Sequence, residues 1–328
     1  MEYKIGTIGS HSALNILNGA KEEGFETVLL CQKERKFYER FDVADEIVYL
    51  DNLEDISGKE MQEELIEENV ILIPHGSYIS YLSLDEIEKN LEVPIFGNKF
   101  LFRWESDRAM ERKWLKNSGI RIPRVFEDED IDREVIVKLH GAKGGKGYFF
   151  AKNKEEILER VGKEEKYQIQ EYVKGVAMYF HFFYSPMKKD NLLMSIDRRY
   201  ESNVDFLGRM PKGFDVEPSY VVVGNFPIVI RESLLEKVFD IGDKVLKQSQ
   251  KIDDKGLIGP YCLETIITDD LEIVTFEISA RIVAGTNPFV PYSPYSYIKY
   301  GEKMSMGKRI AREIKDAIKE DRLDELVT

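Results

Sequence analysis

The sequence has only two cysteines and four histidines in 328 residues. Cys31 and Cys262 lie in the apolar runs VLLCQ and GPYCLET, a context typical of small buried thiols rather than of a disulfide framework. The histidines are scattered along the chain, without the spacing of a zinc site, at His11, His75, His140 and His181. A disulfide-stabilised secreted domain and a histidine-ligated metal are therefore not expected.

Long apolar runs and a surplus of positive charge are also missing. No stretch approaches the ~20 apolar residues that a membrane helix needs, and no basic segment followed by an apolar run opens the sequence. Lysine and arginine number 47 against 60 aspartates and glutamates, a formal charge of -13. No overall positive field would gather nucleic acid or an anionic membrane, although a local basic patch stays open. We expect a soluble cytoplasmic protein without a nucleic-acid or membrane partner.

What the sequence does have is length and a regular alternation. At roughly 100–200 residues per domain, the length predicts two or three packed units and a core large enough for a deep cleft. Over the first hundred residues, apolar runs alternate with helical patterns, which predicts an open, mostly parallel α/β sheet. The predicted strands are residues 5–8, 27–31, 47–50, 70–73 and 93–96, and the predicted helices are 13–24, 59–68 and 84–90.

Two loops at the ends of predicted strands carry polar residues, GSHS at 9–12 and PHGS at 74–77. Ligands of open α/β sheets bind at this edge, and serines beside a helix N-terminus can help to hold a phosphate. His11 and His75 therefore stand where binding residues are common. The plain alternative is that these loops only cap helices, and without further evidence it is preferred. Neither GxSxG nor HExxH is present.

Beyond about residue 100 the pattern changes. A helix is predicted over 107–117, with Ser106 as its N-cap and Gly119 at its end. Short β segments follow, then a long helix over 232–250, two more strands, and an amphipathic helix over 303–319. A domain boundary is expected close to the first of these helices.

The segment KLHGAKGGKG begins at Lys138 and includes Lys143 and Lys146. It fails the Walker pattern, because Gly147 follows where serine or threonine is required and a strand rather than a helix comes next. Glycines let backbone amides approach phosphate oxygens, and an ammonium group in the apolar strand at Lys138 needs an anionic partner. Phosphate binding is favoured over the alternative, a surface hairpin with solvated lysines.

Two acidic residues stand thirteen apart on consecutive predicted strands, Glu264 in CLETII and Glu277 in TFEISAR. Both are embedded in residues that otherwise resemble core, where an unpaired carboxylate is costly. A cation would remove that cost, and Mg²⁺ takes one or two protein carboxylates together with nucleotide phosphates. A salt bridge to Arg281, or simple exposure on the polar face of each strand, explains the pattern equally well.

The order of segments from about residue 100 to 300 resembles the ATP-grasp fold. The run SDRAMERKWLKNSGIRIPRVF is similar to the helix and Gly-Ile-x-x-Pro turn that open such domains, and the strand of Lys138, the glycine loop, the hinge QEYV and the paired glutamates follow in order. The resemblance implies an N-terminal Rossmann-like domain over 1–100 and an ATP-grasp domain of two β-rich lobes over 101–328, with its small lobe over about 122–175.

In that fold ATP lies between the two lobes. The resemblance implies that Lys138 and Lys143 contact the phosphates or adenine and that Glu264 and Glu277 hold Mg²⁺ or Mn²⁺. Backbone groups of the hinge would hold the edge of the adenine, and the hinge residues expected at ATP are Gln170, Glu171, Tyr172 and Val173.

Within the superfamily, the chain is similar nearly end to end to the archaeal formate-dependent FAICAR synthetases of purine biosynthesis. The similarity lies in GSHSALNIL, PHGSY, DRRYESNVDFLGRMP and GNFPIVIRESLL. It implies that His11, Ser77 and Asn225 bind aminoimidazole carboxamide ribonucleotide (AICAR), that Glu201 contacts ATP, and that the protein is a homo-oligomer. Without this match, loop capping by His11 and Ser77, a turn at Asn225 and a surface strand at Glu201 would be preferred.

The implied activity is a two-step ligation with Lys138, Lys143 and Arg281 as the catalytic residues. Formate attacks the γ-phosphate of ATP to give formyl phosphate, and the 5-amino group of AICAR then attacks the formyl carbon. A ligase for another carboxylate and amine, and a nucleotide-binding paralogue without turnover, remain as alternatives. The presence of both glutamates and of the lysines counts against the paralogue.

Two positions depart from the usual ATP-grasp pattern. Ser279 stands where asparagine usually follows the second glutamate by two residues, so its shorter hydroxyl could ligate only by closer approach or through water. An acid often follows the hinge to hold the ribose, but GVA stands at residues 175–177. Glu201 is therefore the expected residue for the ribose.

Overall fold

The computed structural model of the chain describes residues 2–127, 131–139, 148–161, 166–202, 221–283 and 293–328. Three sheets organise these residues: one four-stranded and parallel, one four-stranded and antiparallel, and one five-stranded and antiparallel. The predicted α/β class is confirmed. In the described ranges, no helix has both the length and the apolar character needed to span a bilayer.

The first hundred residues form the parallel sheet, with strand order β3-β2-β1-β4. Its central strands are almost wholly buried, as expected for a parallel sheet covered on both faces. The strands are β1 (Lys4–Ile8), β2 (Glu26–Gln32), β3 (Glu46–Leu50) and β4 (Val70–Leu72). The helices are α1 (Ala13–Glu22), α2 (Lys59–Glu67), α3 (Gly76–Tyr81) and α4 (Leu84–Lys89).

Two consecutive helices, α5 (Leu101–Ser106) and α6 (Arg108–Asn117), lead into the small antiparallel sheet. That sheet has strand order β5-β8-β6-β7 and is packed by α7 (Lys154–Arg160), whose Ile157 is buried against Val135, Val137 and Ile169. Its strands are β5 (Val125–Phe126), β6 (Val135–Leu139), β7 (Tyr148–Ala151) and β8 (Tyr167–Glu171).

The large antiparallel sheet has strand order β11-β10-β9-β12-β13. Its strands are β9 (Val176–Ser185), β10 (Asp190–Glu201), β11 (Val222–Pro227), β12 (Gly259–Ile267) and β13 (Ile273–Ser279). Three helices complete the fold: α8 (Leu235–Ile252), α9 (Pro294–Tyr300) and α10 (Met306–Lys319). Trp114 of α6 and Val245 of α8 lie in the main core on this sheet, and the Trp114 indole donates to the Val245 carbonyl at 3.2 Å.

Helices α5 and α6 cover the outer edge of β13. An edge strand presents backbone N–H groups that need acceptors when they are buried. The Ala280 N–H donates to Glu105 Oε2 at 2.6 Å, and the Ile278 N–H donates to Glu111 Oε1 at 2.9 Å. These carboxylates attach the two helices to the strand that carries Glu277.

The helices α1 and α10, near opposite ends of the chain, cross in close contact. A Cβ atom on Gly19 would lie 2.1 Å from the Lys308 nitrogen, and one on Gly307 would lie 2.1 Å from the Asn15 carbonyl oxygen. Only glycine permits this approach. The Asn15 side chain also accepts a hydrogen bond from the Gly307 N–H at 2.7 Å, so α10 packs directly on α1.

Two local predictions are wrong. Residues 93–96 do not form a strand. Ile95 and Phe96 make only single bridges, to Leu72 and Val327. Pro94, which precedes them, has no N–H to donate to a strand ladder. The N-cap of α6 is Asp107, whose Oδ1 accepts from the Ala109 and Met110 N–H groups at 2.9 Å, because Ser106 is the last residue of α5. Helices α3, α5 and α9 were not anticipated, and the domain bounds 1–100 and 101–328 stay a prediction.

Candidate functional site

The two predicted metal ligands are direct partners across β12 and β13. Glu264 pairs in register with Glu277, so the two carboxylates start from neighbouring backbone positions. The side chains differ in environment, since Glu264 is 3% exposed and Glu277 lies at the surface. Burial, reinforced by the nearby charge of Glu277, raises the pKa of Glu264 to about 8. The pair therefore forms an anionic position that a cation would stabilise.

Arg199 on β10 is the cation that contacts Glu264. Its guanidinium is hydrogen-bonded to Glu264 Oε1 and lies over the Tyr179 ring, with 4.2 Å from Cζ to the ring centroid. Arg281, the partner considered from the sequence, pairs instead with Glu105 at 2.8 Å. The ion pair thus comes from a strand on the other side of β9, which no local sequence signal reveals.

The donor set suits a hard divalent cation such as Mg²⁺. Among the described residues, no group of three or more His, Cys, Asp or Glu side chains could hold a metal ion. Two carboxylates fit a cation that keeps several waters and shares its remaining positions with phosphate oxygens. Ser279, at the departure from the usual signature, is buried at the end of β13.

Glu111 adds a third carboxyl group beside the pair. Burial raises the pKa of Glu111 well above its ordinary value, and the charge of Glu277 raises it further. Its hydrogen bond to the Ile278 N–H fixes the backbone next to Glu277. Neither Glu105 nor Glu111 was predicted as part of the site, because both act across a helix-to-strand contact between distant parts of the chain.

Lys138 projects from β6 toward this acidic group. Burial lowers the pKa of Lys138 below its ordinary value, while Glu277, Glu111 and Glu264 oppose that shift, which places the ammonium within electrostatic range of all three. Helix α6 also contacts the end of β6, where Arg108 donates to the Leu139 carbonyl at 3.3 Å. Lys143 lies outside the described residues.

The predicted hinge begins within β8, whose last two residues are Gln170 and Glu171. Gln170 and Val173 are buried, whereas Tyr172 is 37% exposed and packs against the Phe150 ring at a centroid distance of 4.7 Å. The Glu171 carboxylate pairs with Arg121 at 2.7 Å, and the Glu171 N–H donates to the Arg124 carbonyl at 2.8 Å. An adenine contact to Glu171 would therefore have to use its carbonyl oxygen.

Glu201 and Asn225 lie on neighbouring strands at one end of the large sheet. Asn225 of β11 pairs in register with Arg199 of β10, and a bulge follows at Tyr200 and Glu201. Burial raises the pKa of Glu201, against the opposing charges of Arg198 and Arg199. Asn225 therefore stands beside the arginine that contacts Glu264.

The loops after β1 and β4 bring His11 and His75 together. Their rings meet edge to face, with centroids 5.9 Å apart. His75 is fully buried, with Nε2 2.8 Å from the Ile8 carbonyl and Nδ1 accepting the Ser77 N–H at 3.2 Å, and burial lowers its pKa to about 3. His11 has a φ of 41°, an uncommon backbone conformation for a residue with a side chain and one that clusters at functional sites.

Ser77 and Arg281 each have a buried polar atom without a partner in the described residues, Oγ in the serine and Nε in the arginine. The two groups are close in the fold, because His75 bridges to Ile282 and the Arg281 guanidinium lies 3.7 Å from where a Cβ on Gly76 would stand. The Ser12 hydroxyl also donates to the Val283 carbonyl at 2.7 Å. The end of β13 thus connects the carboxylate pair to the two N-terminal loops.

The arrangement is suited to joining two small molecules with the use of a nucleotide. Carboxylates that could hold a cation lie within electrostatic range of a lysine from another sheet, and polar side chains lie at the ends of the parallel strands, the usual position for a ligand in this type of sheet. Arg281 lies between the two regions; it pairs with Glu105, and its Nε has no hydrogen-bond partner among the residues that the structure describes.

Comparison with known proteins shows which family and fold the chain shares. Residues 5–126 match a family described as "Protein of unknown function (DUF1246)" and residues 150–328 one described as "Domain of unknown function (DUF1297)". A Pyrococcus abyssi protein named 5-formaminoimidazole-4-carboxamide-1-(beta)-D-ribofuranosyl 5'-monophosphate synthetase is 49% identical, over 99% of this chain and 98% of that protein.

Two solved structures are similar in fold to this chain. The crystal structure of an IMP biosynthesis protein, PurP, from Thermococcus kodakaraensis has a TM-score of 0.82 and 33% identity, over 99% of this chain and 100% of that chain. An N5-carboxyaminoimidazole synthetase from Staphylococcus aureus, complexed with ADP, has a TM-score of 0.64 and 14% identity, over 93% and 77%. The fold is that of the ATP-grasp proteins, as the sequence implies.

Proposed function

The chain belongs to the family of 5-formaminoimidazole-4-carboxamide ribonucleotide synthetases, and on this premise we propose that it formylates AICAR with ATP and formate. The observation that carries the proposal is the approach of Lys138 to the in-register pair of Glu264 and Glu277. The residues that follow β13 contact the loops of His11 and Ser77, so these loops lie next to the strand that carries Glu277. A site for a nucleotide and a site for an acceptor therefore lie side by side.

In the proposed first step, a formate oxygen attacks the γ-phosphorus of ATP and the bond to ADP breaks. The product is formyl phosphate. Its leaving group in the next step is phosphate, whereas in formate the leaving group would be hydroxide, which is poor. Phosphoryl transfer needs mainly alignment and neutralisation of charge. The ammonium of Lys138 lies within electrostatic range of the carboxylate pair and would contact the phosphate oxygens from the other sheet, with Lys143 as a second cation.

Glu264 and Glu277 would hold a divalent cation, Mg²⁺ or Mn²⁺, which when bound supplies positive charge to the phosphate oxygens. Arg199 neutralises Glu264 from β10, and Glu111 fixes the backbone beside Glu277. The hinge at residues 170–173 and Glu201 are the proposed contacts for adenine and ribose.

In the proposed second step, the 5-amino group of AICAR attacks the formyl carbon. The carbon–oxygen bond to phosphate breaks, the amine loses one proton, and formylated AICAR and phosphate are released. His11, Ser77 and Asn225 are the proposed contacts to AICAR, and Arg281, between the pocket and the carboxylates, is positioned to stabilise the charge that develops on the transferred group. No nucleophile from the protein is required.

The test is an incubation of the purified protein with AICAR, Mg-ATP and isotopically labelled formate, followed by mass spectrometry and ADP measurement. Labelled FAICAR formed in step with ADP is the expected result. ADP formed at the same rate without AICAR, or a product without the label, would contradict the proposal. Replacement of Mg²⁺ by Mn²⁺ in the same assay identifies the preferred ion.

We also propose that identical subunits assemble and that the protein acts in the cytoplasm. The support is the family membership together with the net acidic composition. Light scattering after size-exclusion chromatography gives the mass in solution; a mass near the 38.1 kDa of one chain would contradict the assembly. Fractionation of source cells tests the location.

A further inference from the structure

Arg35, in the segment after β2, connects the two loops that carry His11 and Ser77. Its Nη1 donates to the Gly9 carbonyl at 3.0 Å, and its Nη2 donates to the Tyr81 hydroxyl at 3.4 Å. Gly9 stands two residues before His11, and Tyr81 is the last residue of α3, which contains Ser77. The guanidinium therefore lies at the proposed pocket for the acceptor.

The charge of Arg35 is not balanced by the groups that it contacts. Both acceptors are neutral, and within the described residues no carboxylate pairs with this half-buried guanidinium. Other arginines of the site differ, since Arg199 is paired with Glu264 and Arg281 with Glu105. A half-buried cation with only neutral partners retains the capacity to bind an anion.

A buried polar group lies on the same helix as Tyr81. The Ser77 hydroxyl is fully buried and has no partner in the described part of the chain. Ser77 stands four residues before Tyr81 in α3, so both side chains lie on the same helix face, the one that Arg35 contacts. A buried hydroxyl without a partner is costly unless a ligand completes it.

The ten-residue helix α1 contributes its N-terminus to the same place. It begins at Ala13, two residues after His11, and its N-cap Ser12 makes no side-chain cap, because the Ser12 hydroxyl donates to the Val283 carbonyl instead. Backbone N–H groups at such a terminus favour an anion.

We propose that Arg35, with the Ser77 hydroxyl and the N-terminus of α1, binds the phosphate of the ribonucleotide acceptor. The proposal rests on the proposed function, because the phosphate is that of AICAR. Arg35 is then a substrate-positioning residue: it fixes the phosphate end of AICAR, so that the opposite end, with the amine, faces the site of phosphoryl transfer. With this role for Arg35, the protein would bind AICAR in preference to the corresponding nucleoside, which has no phosphate.

The test measures binding of AICAR and of the nucleoside AICA riboside, which lacks the phosphate, by calorimetry. Wild type should bind AICAR more tightly than the riboside. Arg35→Ala should weaken AICAR binding by about 10- to 100-fold, as for loss of a charge-assisted hydrogen bond, and leave riboside binding unchanged. Arg35→Lys should retain part of the preference. Arg40→Ala, at an exposed arginine of the same segment, is the matched control and should change neither the affinity for AICAR nor that for the riboside.

Equal weakening of both ligands by Arg35→Ala would overturn the proposal, since it would show that Arg35 only shapes the loops. Arg35→Gln, which can still donate to Gly9, keeps the test valid if the alanine variant does not fold, and it should also lose the preference for AICAR. Labelled-formate turnover on the same samples separates the two proposals. Arg35-dependent binding of AICAR without formylation would overturn the proposed reaction alone, whereas a wild type without preference for AICAR would overturn the phosphate site whatever the turnover.

Discussion

Glu111 accepts a hydrogen bond from the backbone N–H of Ile278, at 2.9 Å, directly beside the carboxylate pair. The contact joins α6 to the outer edge of β13, and it holds the peptide unit that follows Glu277. Since the Glu264 and Glu277 positions are opposite in register, any shift of β13 would separate the two carboxylates. A helix-to-strand hydrogen bond is therefore part of what fixes the proposed metal site.

The first prediction concerns this contact. Glu111→Ala should lower the free energy of unfolding by about 1–3 kcal/mol, because the buried Ile278 N–H would lose its acceptor, and it should raise the Mg²⁺ concentration required for ATP use. Glu111→Gln should lower the free energy of unfolding by less, since its amide oxygen can still accept the hydrogen bond from the Ile278 N–H. Urea unfolding and Mg²⁺ titration check both, with Glu64→Ala at an exposed glutamate of α2 as control. Equal losses in the two Glu111 variants would show that charge, rather than the acceptor, matters.

The second prediction concerns the carboxylate pair. Glu277→Gln should leave the melting temperature nearly unchanged, because the side chain is exposed, but should reduce Mg-ATP turnover by about two orders of magnitude or more. Glu272→Gln, at an exposed residue just before β13, is the matched control. Wild-type turnover in Glu277→Gln would refute the metal assignment.

The third prediction concerns pH. The pKa of His75 is about 3 in the folded protein against 6.5 for the free side chain, because the ring is buried. The unfolded chain therefore binds more protons between these values, so this contribution to stability is complete above pH 6.5 and is lost as the pH falls toward 3. The free energy of unfolding, measured with denaturant, should differ between wild type and His75→Gln by an amount that decreases as the pH falls from 6.5 to 3. A constant difference would contradict a buried neutral imidazole.

The fourth prediction concerns the crossing of α1 and α10. Gly19→Ala should destabilise the protein by about 1–3 kcal/mol or more, because the new methyl group would overlap the Lys308 backbone. Asn18→Ala, at an exposed position of the same helix, should change stability by less than about 0.5 kcal/mol. Thermal unfolding measures both, and similar stability of the two variants would count against the close contact.

The fifth prediction concerns His11. His11→Ala should raise the KM for AICAR and leave the KM for ATP unchanged, because the residue lies on the loop after β1, where its ring contacts His75 rather than the carboxylate pair. Steady-state kinetics with each substrate varied in turn provides the check. An unchanged KM for AICAR would show that His11 only shapes its loop.

The fold was predictable wherever a local pattern decides it. The buried strands β1, β2 and β4 are short, apolar and separated by helical patterns, so their parallel arrangement follows from the sequence. The spacing of Glu264 and Glu277 likewise placed them on consecutive strands. The N-cap prediction for α6 is wrong by one residue: Ser106 is a good capping residue by type, but it is the last residue of α5, and Asp107 caps α6 instead.

The rest of the site depends on contacts between distant segments. Arg199 reaches Glu264 across β9, and Glu105 meets Arg281 although 176 positions separate them. Arg35 stands in a segment of mixed charge, and nothing around it in the sequence distinguishes it from Arg40. A cation without a carboxylate partner can be recognised only when its surroundings are known.

The contact between Gly19 and Gly307 has a consequence for the order in which the protein is made. A ribosome releases α1 early and α10 almost 300 residues later, so the apolar face of α1 has no permanent cover during most of synthesis. The N-terminal sheet can form early, but its final packing must wait for the last helix, and such a long-range closure is slow. Nascent chains stalled before residue 306 should therefore be more susceptible to proteolysis in α1 than released ones.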